Sequence, residues 1–324
     1  MPAKSLAKTM KYFYQIFFSS ILTIIIFLSQ AHTSIASSYQ KLVPSPAQEF
    51  FHQGIAKMVQ GHSAIAVQAF TQAIERQPHF AAAYSNRCLA YIQLEQYQAA
   101  IEDCDRAIQL DPFNPNAYLH RGLAQYRLGN YPAAITSYNR LIEQKPYDFR
   151  AYYNRGIALC AIGNYSQAIA NYNQALSQIP TSARVFLADI YNDRGLAYFG
   201  LHNYESAIAD FSLAIRLNAN DARAYYNRGC ACQQHGEKHK AIDDFTQSLR
   251  LNPTNVAAYV NRGIARYQLG YQQAAIADLQ KASQDYLRQG ETAACQKILK
   301  LLQEIQRDTD EWQIASIGKA KAIV

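Results

Sequence analysis

Residues 151–158 read AYYNRGIA, and this stretch decides the fold because near copies of it recur along the chain. Five close copies and one weaker copy, EFFHQGIA, begin at Ala83, Ala117, Ile190, Ala224, Ala258 and Glu49. Small residues and the absence of proline favour a helix for each copy. Every strong copy places a polar residue beside an arginine, as Asn154 stands beside Arg155, so the two residues need separate explanations.

The copies are spaced by 34 residues, with a single spacing of 39 between Gly156 and Gly195. Alanine occurs two and twelve residues after the aligned small residue in every copy. A proline follows twenty-four residues after it in five copies, at Pro78, Pro112, Pro146, Pro180 and Pro253. A fixed period of this length predicts a repeat protein. Each repeat is predicted to form two helices, the first ending at a Gly-Asn pair that suits a left-handed cap and the second ending before the proline.

The repeat resembles the tetratricopeptide repeat family, which carries an aromatic residue at position 4, Gly at 8, Ala at 20, an aromatic residue at 24, Ala at 27 and Pro at 32. In the third repeat these positions hold Tyr118, Gly122, Ala134, Tyr138, Leu141 and Pro146, so position 27 departs from the pattern. The resemblance covers residues 47–289. It implies an all-α, right-handed superhelical solenoid of seven antiparallel helix pairs, whose first helices line a concave groove that binds peptides or partner proteins.

The predicted organisation places seven repeats between a leader and a capping helix. The repeats are 47–80, 81–114, 115–148, 149–182, 188–221, 222–255 and 256–289. Residues 290–308 present apolar side chains at helical spacing and are expected to seal the last repeat, followed by a flexible tail at 309–324. The five extra residues before Asp193 either lengthen the first helix of the fifth repeat, dividing the array into four plus three repeats, or form a loop.

The N-terminal segment 1–36 is predicted to be a signal peptide or an uncleaved membrane anchor. Three lysines precede an apolar run that ends at Leu28, and small residues suited to signal peptidase end at Ala31 and Ala36. The apolar run is at the short limit for a membrane span. Either outcome places the repeats outside the cytoplasm, after a short linker at 37–46, because the positive charge precedes the apolar run. Membrane contact is expected only through this segment.

Charge and cysteine content limit the classes of function. The formal charge is +7, and the leader lysines contribute +3 of it, which leaves +4 for the rest of the chain. This charge is too small and too evenly spread to indicate nucleic-acid binding. Six cysteines are far fewer than a disulfide-built fold needs. Cys88 and Cys104 replace the glycine and the aromatic residue of one repeat, so they can form a disulfide if positions 8 and 24 touch.

The arginine at position 7 is predicted to be structural, because the helical wheel places it on the packed side with the aromatic residue and the glycine. A buried charge needs a partner. Position 23 supplies one in each repeat that has the arginine: Asp103, Ser137, Asn171, Asp210, Asp244 and Asp278. The first repeat has Gln53 instead of the arginine, and it alone has an apolar residue, Ala69, at position 23.

Position 6 falls on the opposite side of the wheel and carries a hydrogen-bonding side chain in every repeat. These residues are His52, Asn86, His120, Asn154, Asp193, Asn227 and Asn261. A row of such groups suits the backbone of an extended peptide, and the resemblance implies that it lines the groove. Tyr153 and Tyr226 flank the row and complete the predicted ligand-binding set. The alternative is that these side chains only hydrogen-bond the neighbouring helix.

No catalytic constellation, cofactor motif or metal site is predicted. Cys230, Cys232, His235 and His239 lie within ten residues, but helical spacing sends the two cysteines in different directions. The sequence therefore predicts a non-enzymatic scaffold that binds a protein or an extended peptide outside the cytoplasm. One alternative is a chaperone-like assembly factor at a membrane. The other is a metal-binding or catalytic protein that uses the 230–239 cluster.

Overall fold

A computed structural model describes residues 45–321, with side chains described to residue 307. The predicted leader at 1–36 and the linker up to residue 44 lie outside these residues. The described chain divides into two compact bodies, the N-terminal body 45–112 and the C-terminal body 113–321. Within the described residues all regular structure is helical, which confirms the predicted all-α fold class.

The N-terminal body contains two helix pairs, and the C-terminal body contains five pairs and a final helix. The first four helices are α1 (Pro46–Val59), α2 (Ser63–Arg76), α3 (Ala81–Gln93) and α4 (Tyr97–Leu110). The others are α5 (Pro115–Arg127), α6 (Tyr131–Gln144), α7 (Phe149–Ala161), α8 (Tyr165–Gln178), α9 (Arg184–Gly200), α10 (Tyr204–Leu217), α11 (Ala222–Gln234), α12 (Lys238–Leu251), α13 (Val256–Gln268), α14 (Gln272–Arg288) and α15 (Thr292–Lys321). Within each body, consecutive helices pack on one another as in a solenoid.

The two helices of a pair approach closely because the glycine at position 8 faces the side chain at position 24. A Cβ added to Gly156 would lie 2.6 Å from Cε1 of Tyr172, and one added to Gly122 would lie 2.5 Å from Cε1 of Tyr138. The aromatic ring therefore occupies the space that a larger residue at position 8 would need. Glycine faces an aromatic ring in this way in five repeats, and in the seventh repeat Gly263 faces Leu279.

In the second repeat, a disulfide replaces the contact between glycine at position 8 and an aromatic ring at position 24. Cys88 and Cys104 are bonded, with their Cα atoms 5.6 Å apart, and both residues are fully buried. The structure therefore selects the disulfide from the two alternatives that the sequence left open. The bond is possible because positions 8 and 24 touch across every helix pair.

The helix ends follow the turn signals in the sequence. Gly163 follows α7 with a φ of 76°, the left-handed conformation that glycine adopts without strain. Asn164 then caps α8 by accepting a hydrogen bond from the backbone N–H of Gln167. At the start of α1, Ser45 and Gln48 form a reciprocal capping box. Residues 45 and 46, predicted to end the linker, therefore belong to the start of this helix.

The five extra residues of the fifth repeat lengthen its first helix. Helix α9 has 17 residues, whereas α7 and α11 have 13 each. The two compact bodies separate after Pro112, and a division into four plus three repeats stays a prediction. The insertion continues the helix, and α9 still packs on α8.

The last helix covers the end of the repeat array. Ile298, Leu302 and Ile305 are buried with Leu279 of α14, as expected for a capping helix. Helix α15 continues to Lys321, beyond the boundary predicted at 308 and into the segment expected to be a tail. No proline or glycine breaks the sequence between Thr309 and Ile317, which is consistent with a longer helix.

Within residues 45–321, no helix has the length and apolar character that crossing a membrane requires.

Candidate functional site

The arginines at position 7 join the two helices of their pairs by hydrogen bonds to position 23, which is a carboxylate in four repeats. Arg228 donates from Nε and Nη2 to both oxygens of Asp244 at 2.8 and 2.7 Å. The same two-bond pair joins Arg87 to Asp103, Arg194 to Asp210 and Arg262 to Asp278. Arg121 and Arg155 donate instead to Ser137 and Asn171. The predicted pairing within each repeat is confirmed.

Five of these arginines also donate to position 25 of the preceding repeat. Arg228 Nη1 lies 3.0 Å from Ser212 Oγ, and Arg155 Nη1 lies 2.7 Å from Asn139 Oδ1. The same bond joins Arg87 to Thr71, Arg194 to Asn173 and Arg262 to Thr246. One guanidinium therefore connects three helices. Sequence reasoning missed this second contact, although its signal was a side chain with an acceptor oxygen at each of these positions.

Arg155 differs from Arg228 because asparagine replaces aspartate at its position 23. The pKa of Arg155 is lowered by burial, and neither of its hydrogen-bond partners carries a negative charge. The pKa of Arg228 is raised, chiefly by its hydrogen bonds to Asp244. The carboxylate thus compensates for the burial of the guanidinium in the sixth repeat.

The side chains at position 6 lie on the other side of the first helices. In three successive repeats they meet position 5 of the preceding repeat. Asp193 accepts a hydrogen bond from Tyr153 Oη at 2.8 Å, and Asn227 donates to Asn192 Oδ1 at 2.9 Å. Asn261 donates to Tyr226 Oη at 3.1 Å. The structure therefore forms a polar ladder, defined as the contacts between position 5 and position 6 of the next repeat.

Two other position-6 residues bond within their own helix. Asn86 and Asn154 each donate to a backbone carbonyl four residues earlier on their own helix. His52 is exposed, and His120 is partly buried. A ladder bond from Asn154 is excluded because position 5 of the preceding repeat is Leu119. A ligand-binding role of the nine predicted residues stays a prediction.

A pocket opens beside the ladder, among the third, fourth and fifth repeats. It has a volume of about 430 Å³ and is lined by Tyr126, Ile157, Cys160, Ala161, Tyr172, Asp193 and Leu196. Six of these seven residues belong to first helices, and the seventh, Tyr172, donates from Oη to Cys160 Sγ at 3.6 Å. The volume lies in the range of small-molecule and side-chain pockets.

Burial controls the protonation of the polar groups in this pocket. The pKa of Asp193 is raised, chiefly by burial, although hydrogen bonds from Tyr153 and Asn192 oppose the change. Burial also raises the pKa values of the Tyr126 phenol and the Cys160 thiol. Tyr153 shows a raised pKa through burial and, next, the negative charge of Asp193. The pocket thus disfavours negative charge on each of these groups.

The cysteines and histidines of the 230–239 cluster contact different neighbours. Cys232 is buried in a cluster with Ala241 and Phe245, and burial raises the pKa of its thiol to about 12. The His239 ring lies against Tyr271, with the ring centroids 6.4 Å apart. Among the described residues, no group of three or more His, Cys, Asp or Glu side chains is arranged to hold a metal ion.

Solved structures with related folds share low sequence identity with this chain. A chain of the APC/C hetero-tetramer Cut9–Hcn1 aligns with a TM-score of 0.60 and 21% identity over 68% of this chain, and the match spans only 42% of that chain. A tetratricopeptide repeat protein from Parabacteroides merdae aligns with a TM-score of 0.60 and 19% identity, over 78% of this chain and 99% of its own. YrrB aligns with a TM-score of 0.50 and 20% identity, over 62% and 99% of the two chains. The comparison with curated proteins gave no match.

Family models match most of the repeat region. Three models described as tetratricopeptide repeat cover residues 51–115, 88–151 and the three segments 149–182, 188–221 and 222–255. These matches include more than half of the chain and agree with the helix pairs described above. The chain belongs to the tetratricopeptide repeat family.

Proposed function

We propose that this chain is a non-enzymatic scaffold that holds an extended peptide segment of a partner protein along the first helices of its C-terminal body. The observation that carries the proposal is the combination of the polar ladder with the adjoining pocket. The ladder offers amide and carboxylate groups at intervals of one repeat, and the pocket offers a recess for a side chain. An extended peptide presents hydrogen-bonding groups and side chains in this alternating way.

Family membership supports this proposal. Tetratricopeptide repeats are protein-interaction modules, and YrrB is described as a protein of this family with an unusual peptide-binding site. That likeness concerns the fold alone, so the identity of the partner has to come from the chemistry of this chain.

We place the scaffold outside the cytoplasm, because lysines precede the apolar run of residues 16–28. If the leader stays attached, a chaperone-like assembly factor at the membrane becomes the better description. N-terminal sequencing of the mature protein distinguishes the two. A new N-terminus after residue 31 or 36 supports the released scaffold, whereas an intact leader supports the membrane-bound factor.

The groove proposal is tested by removing the amides at position 6. In the full chain, Asn154→Ala, Asn227→Ala and Asn261→Ala are combined, and the proteins that co-purify are compared with those of the wild type. We expect partners to be lost, because three hydrogen-bonding groups leave the proposed binding face. Asn227 and Asn261 also bond to the preceding repeat, so the melting temperature is measured alongside.

The matched control removes exposed amides from the second helices. Gln174→Ala and Gln280→Ala change residues that lie on the surface of α8 and α14, away from the ladder. This control is expected to retain every partner. If the triple variant is folded and its set of partners is unchanged, the groove proposal is wrong.

A further inference from the structure

We propose that the pocket among the third, fourth and fifth repeats is a subsite for one lysine or arginine side chain of the bound partner. This inference rests on the proposed function and names the chemistry of its most distinctive position. Asp193 is the group that would receive the cation. It is the single acidic residue among the seven at position 6, so the charge marks one place along the binding face.

Asp193 is a partly buried carboxylate whose charge has no cation in contact. Its neighbours are neutral donors, Tyr153 Oη at 2.8 Å and Asn192 Nδ2 at 3.3 Å. Among the described residues, no lysine, arginine or histidine forms an ion pair with it. By contrast, the buried aspartates at position 23 each accept two hydrogen bonds from an arginine. The aspartates at position 23 therefore have a cation in contact, whereas Asp193 has neutral donors only.

The charged groups around Asp193 do not replace a ligand cation. Arg223, on the next repeat, donates to both Asp221 and Asp189 and is 67% exposed. Asp189 lies one turn before Asp193 and adds negative charge. Arg127 is exposed, and its charge acts on Tyr126 at the far wall. The net effect of burial and these neighbours is a raised Asp193 pKa, and an incoming cation would favour the charged form.

The walls of the pocket match the stem of a long basic side chain. Ile157 and Leu196 supply aliphatic surface, and Leu196 is 42% exposed at the pocket in the unbound chain. The partly buried ring of Tyr126 supplies an aromatic surface that can attract a cation, as tyrosines at position 4 already do for arginines at position 7. A lysine or arginine can bury its methylene groups on these walls and place its charge at the carboxylate.

The register of the partner follows from the position of this subsite. The other six residues at position 6 are amides or histidines, which hydrogen-bond a peptide without selecting for a charged side chain. A lysine or arginine of the partner bound at Asp193 would therefore fix the register of the peptide, because the backbone contacts along the other repeats are alike. Polar contacts along the rest of the ladder would then supply affinity with little dependence on sequence.

A displayed library of random dodecapeptides, selected against the immobilised full chain, tests this inference. The chain is held in mild detergent so that its apolar N-terminal segment stays soluble. Wild-type protein is expected to enrich lysine or arginine about tenfold at one fixed position of the selected peptides, as expected for a charge-assisted hydrogen bond. Asp193→Asn keeps the shape of the side chain and is expected to remove that enrichment while the remaining consensus survives.

Asp189→Asn is the matched control, since it removes an equal charge one turn away without changing the pocket. It is expected to keep the enrichment. In a second measurement, the lysine or arginine of a selected peptide is replaced by norleucine, which should weaken binding about tenfold to the wild type and leave binding to the Asp193→Asn variant unchanged.

The outcomes separate this inference from the proposed function. Peptides selected without a basic position, or an Asp193→Asn variant that keeps the basic preference, would overturn the subsite and leave the groove proposal standing. Failure of the folded wild-type chain to select any peptide would overturn both. Melting temperatures of the two aspartate variants confirm that each is folded in the assay.

Discussion

Positions 6 and 7 are adjacent in the sequence, but their side chains lie on different sides of the first helix and differ in how constant their contacts are. On the side of position 7, the arginine donates from Nε to position 23 of its own repeat in all six repeats that carry it. On the side of position 6, the partners change from repeat to repeat. Asp193 meets a phenol, Asn227 meets an amide, and Asn154 bonds only to its own helix.

The constant contacts of position 7 indicate a structural role, and we propose that the variable contacts of position 6 serve recognition of a partner. A buried guanidinium allows few solutions, because its charge and its donors must be matched wherever the helices pack. A partly exposed face can change without unfolding the array.

Arg228→Ala is expected to lower the free energy of unfolding by about 3 kcal/mol, because it leaves the carboxylate of Asp244 buried without a cation. Chemical denaturation followed by far-UV circular dichroism measures the loss. Arg223→Ala is the control, since its side chain is 67% exposed and its ion pairs should contribute less than about 1 kcal/mol. Equal effects of the two variants would contradict a structural role that is special to position 7.

Replacing both Cys88 and Cys104 by serine is expected to cost about 2–3 kcal/mol, because the disulfide closes a short loop of the N-terminal body. The informative variant is Cys88→Gly with Cys104→Phe, which restores the residues that other repeats have at these positions. We expect it to regain part of the stability in the same denaturation experiment. A restored variant no more stable than the double serine would show that the second repeat has a different requirement.

Gly156→Ala is expected to destabilise the chain by about 1–2 kcal/mol, because the added Cβ would lie 2.6 Å from the ring of Tyr172. Gly263→Ala is a matched comparison with a looser fit, in which the new Cβ would lie 3.0 Å from Cγ of Leu279 and 3.3 Å from the backbone oxygen of Ala275. There the higher helix propensity of alanine should offset most of the cost. Thermal melting of both variants measures the difference, and a harmless Gly156→Ala would rule out the steric account.

Asp193→Asn is expected to stabilise the unbound chain slightly at neutral pH. Burial raises the pKa of Asp193 in the folded state, so stability falls as pH rises from the unfolded pKa, about 3.9, through the folded pKa. The variant lacks this penalty, and its advantage should therefore shrink as the pH is lowered toward 4. Melting temperatures from pH 4 to pH 8 measure it, and an advantage that is independent of pH would disprove the account.

The contacts of position 7 could be predicted from the sequence, whereas the contacts of position 6 could not. The pairing of Arg87 with Asp103 follows from the joint absence of both residue types in the first repeat, where Gln53 and Ala69 stand. Positions 7 and 23 change together because their side chains are in contact within the repeat.

The ladder was not predictable because it depends on side-chain orientation between repeats. Whether Asn227 reaches Asn192 is decided by the stacking distance and the rotamers, which leave no periodic signal. The uncompensated Asp193 could be noticed as an exception at position 6, but its pocket arises from residues of three repeats. The length of α15 was also missed, since residues 309–321 contain no terminating signal before Gly318.

Site-specific photo-crosslinking tests the central claim, that the partner lies on the side of position 6, most directly. A benzoylphenylalanine replaces Leu196 at the pocket in one variant and Leu287 near the end of α14 in another. Leu287 is the more exposed of the two, at 63% against 42%, so unspecific contact would favour it. The account predicts that the partner crosslinks from position 196 and not from position 287. Crosslinking that is equal at the two positions, or stronger from 287, would contradict it.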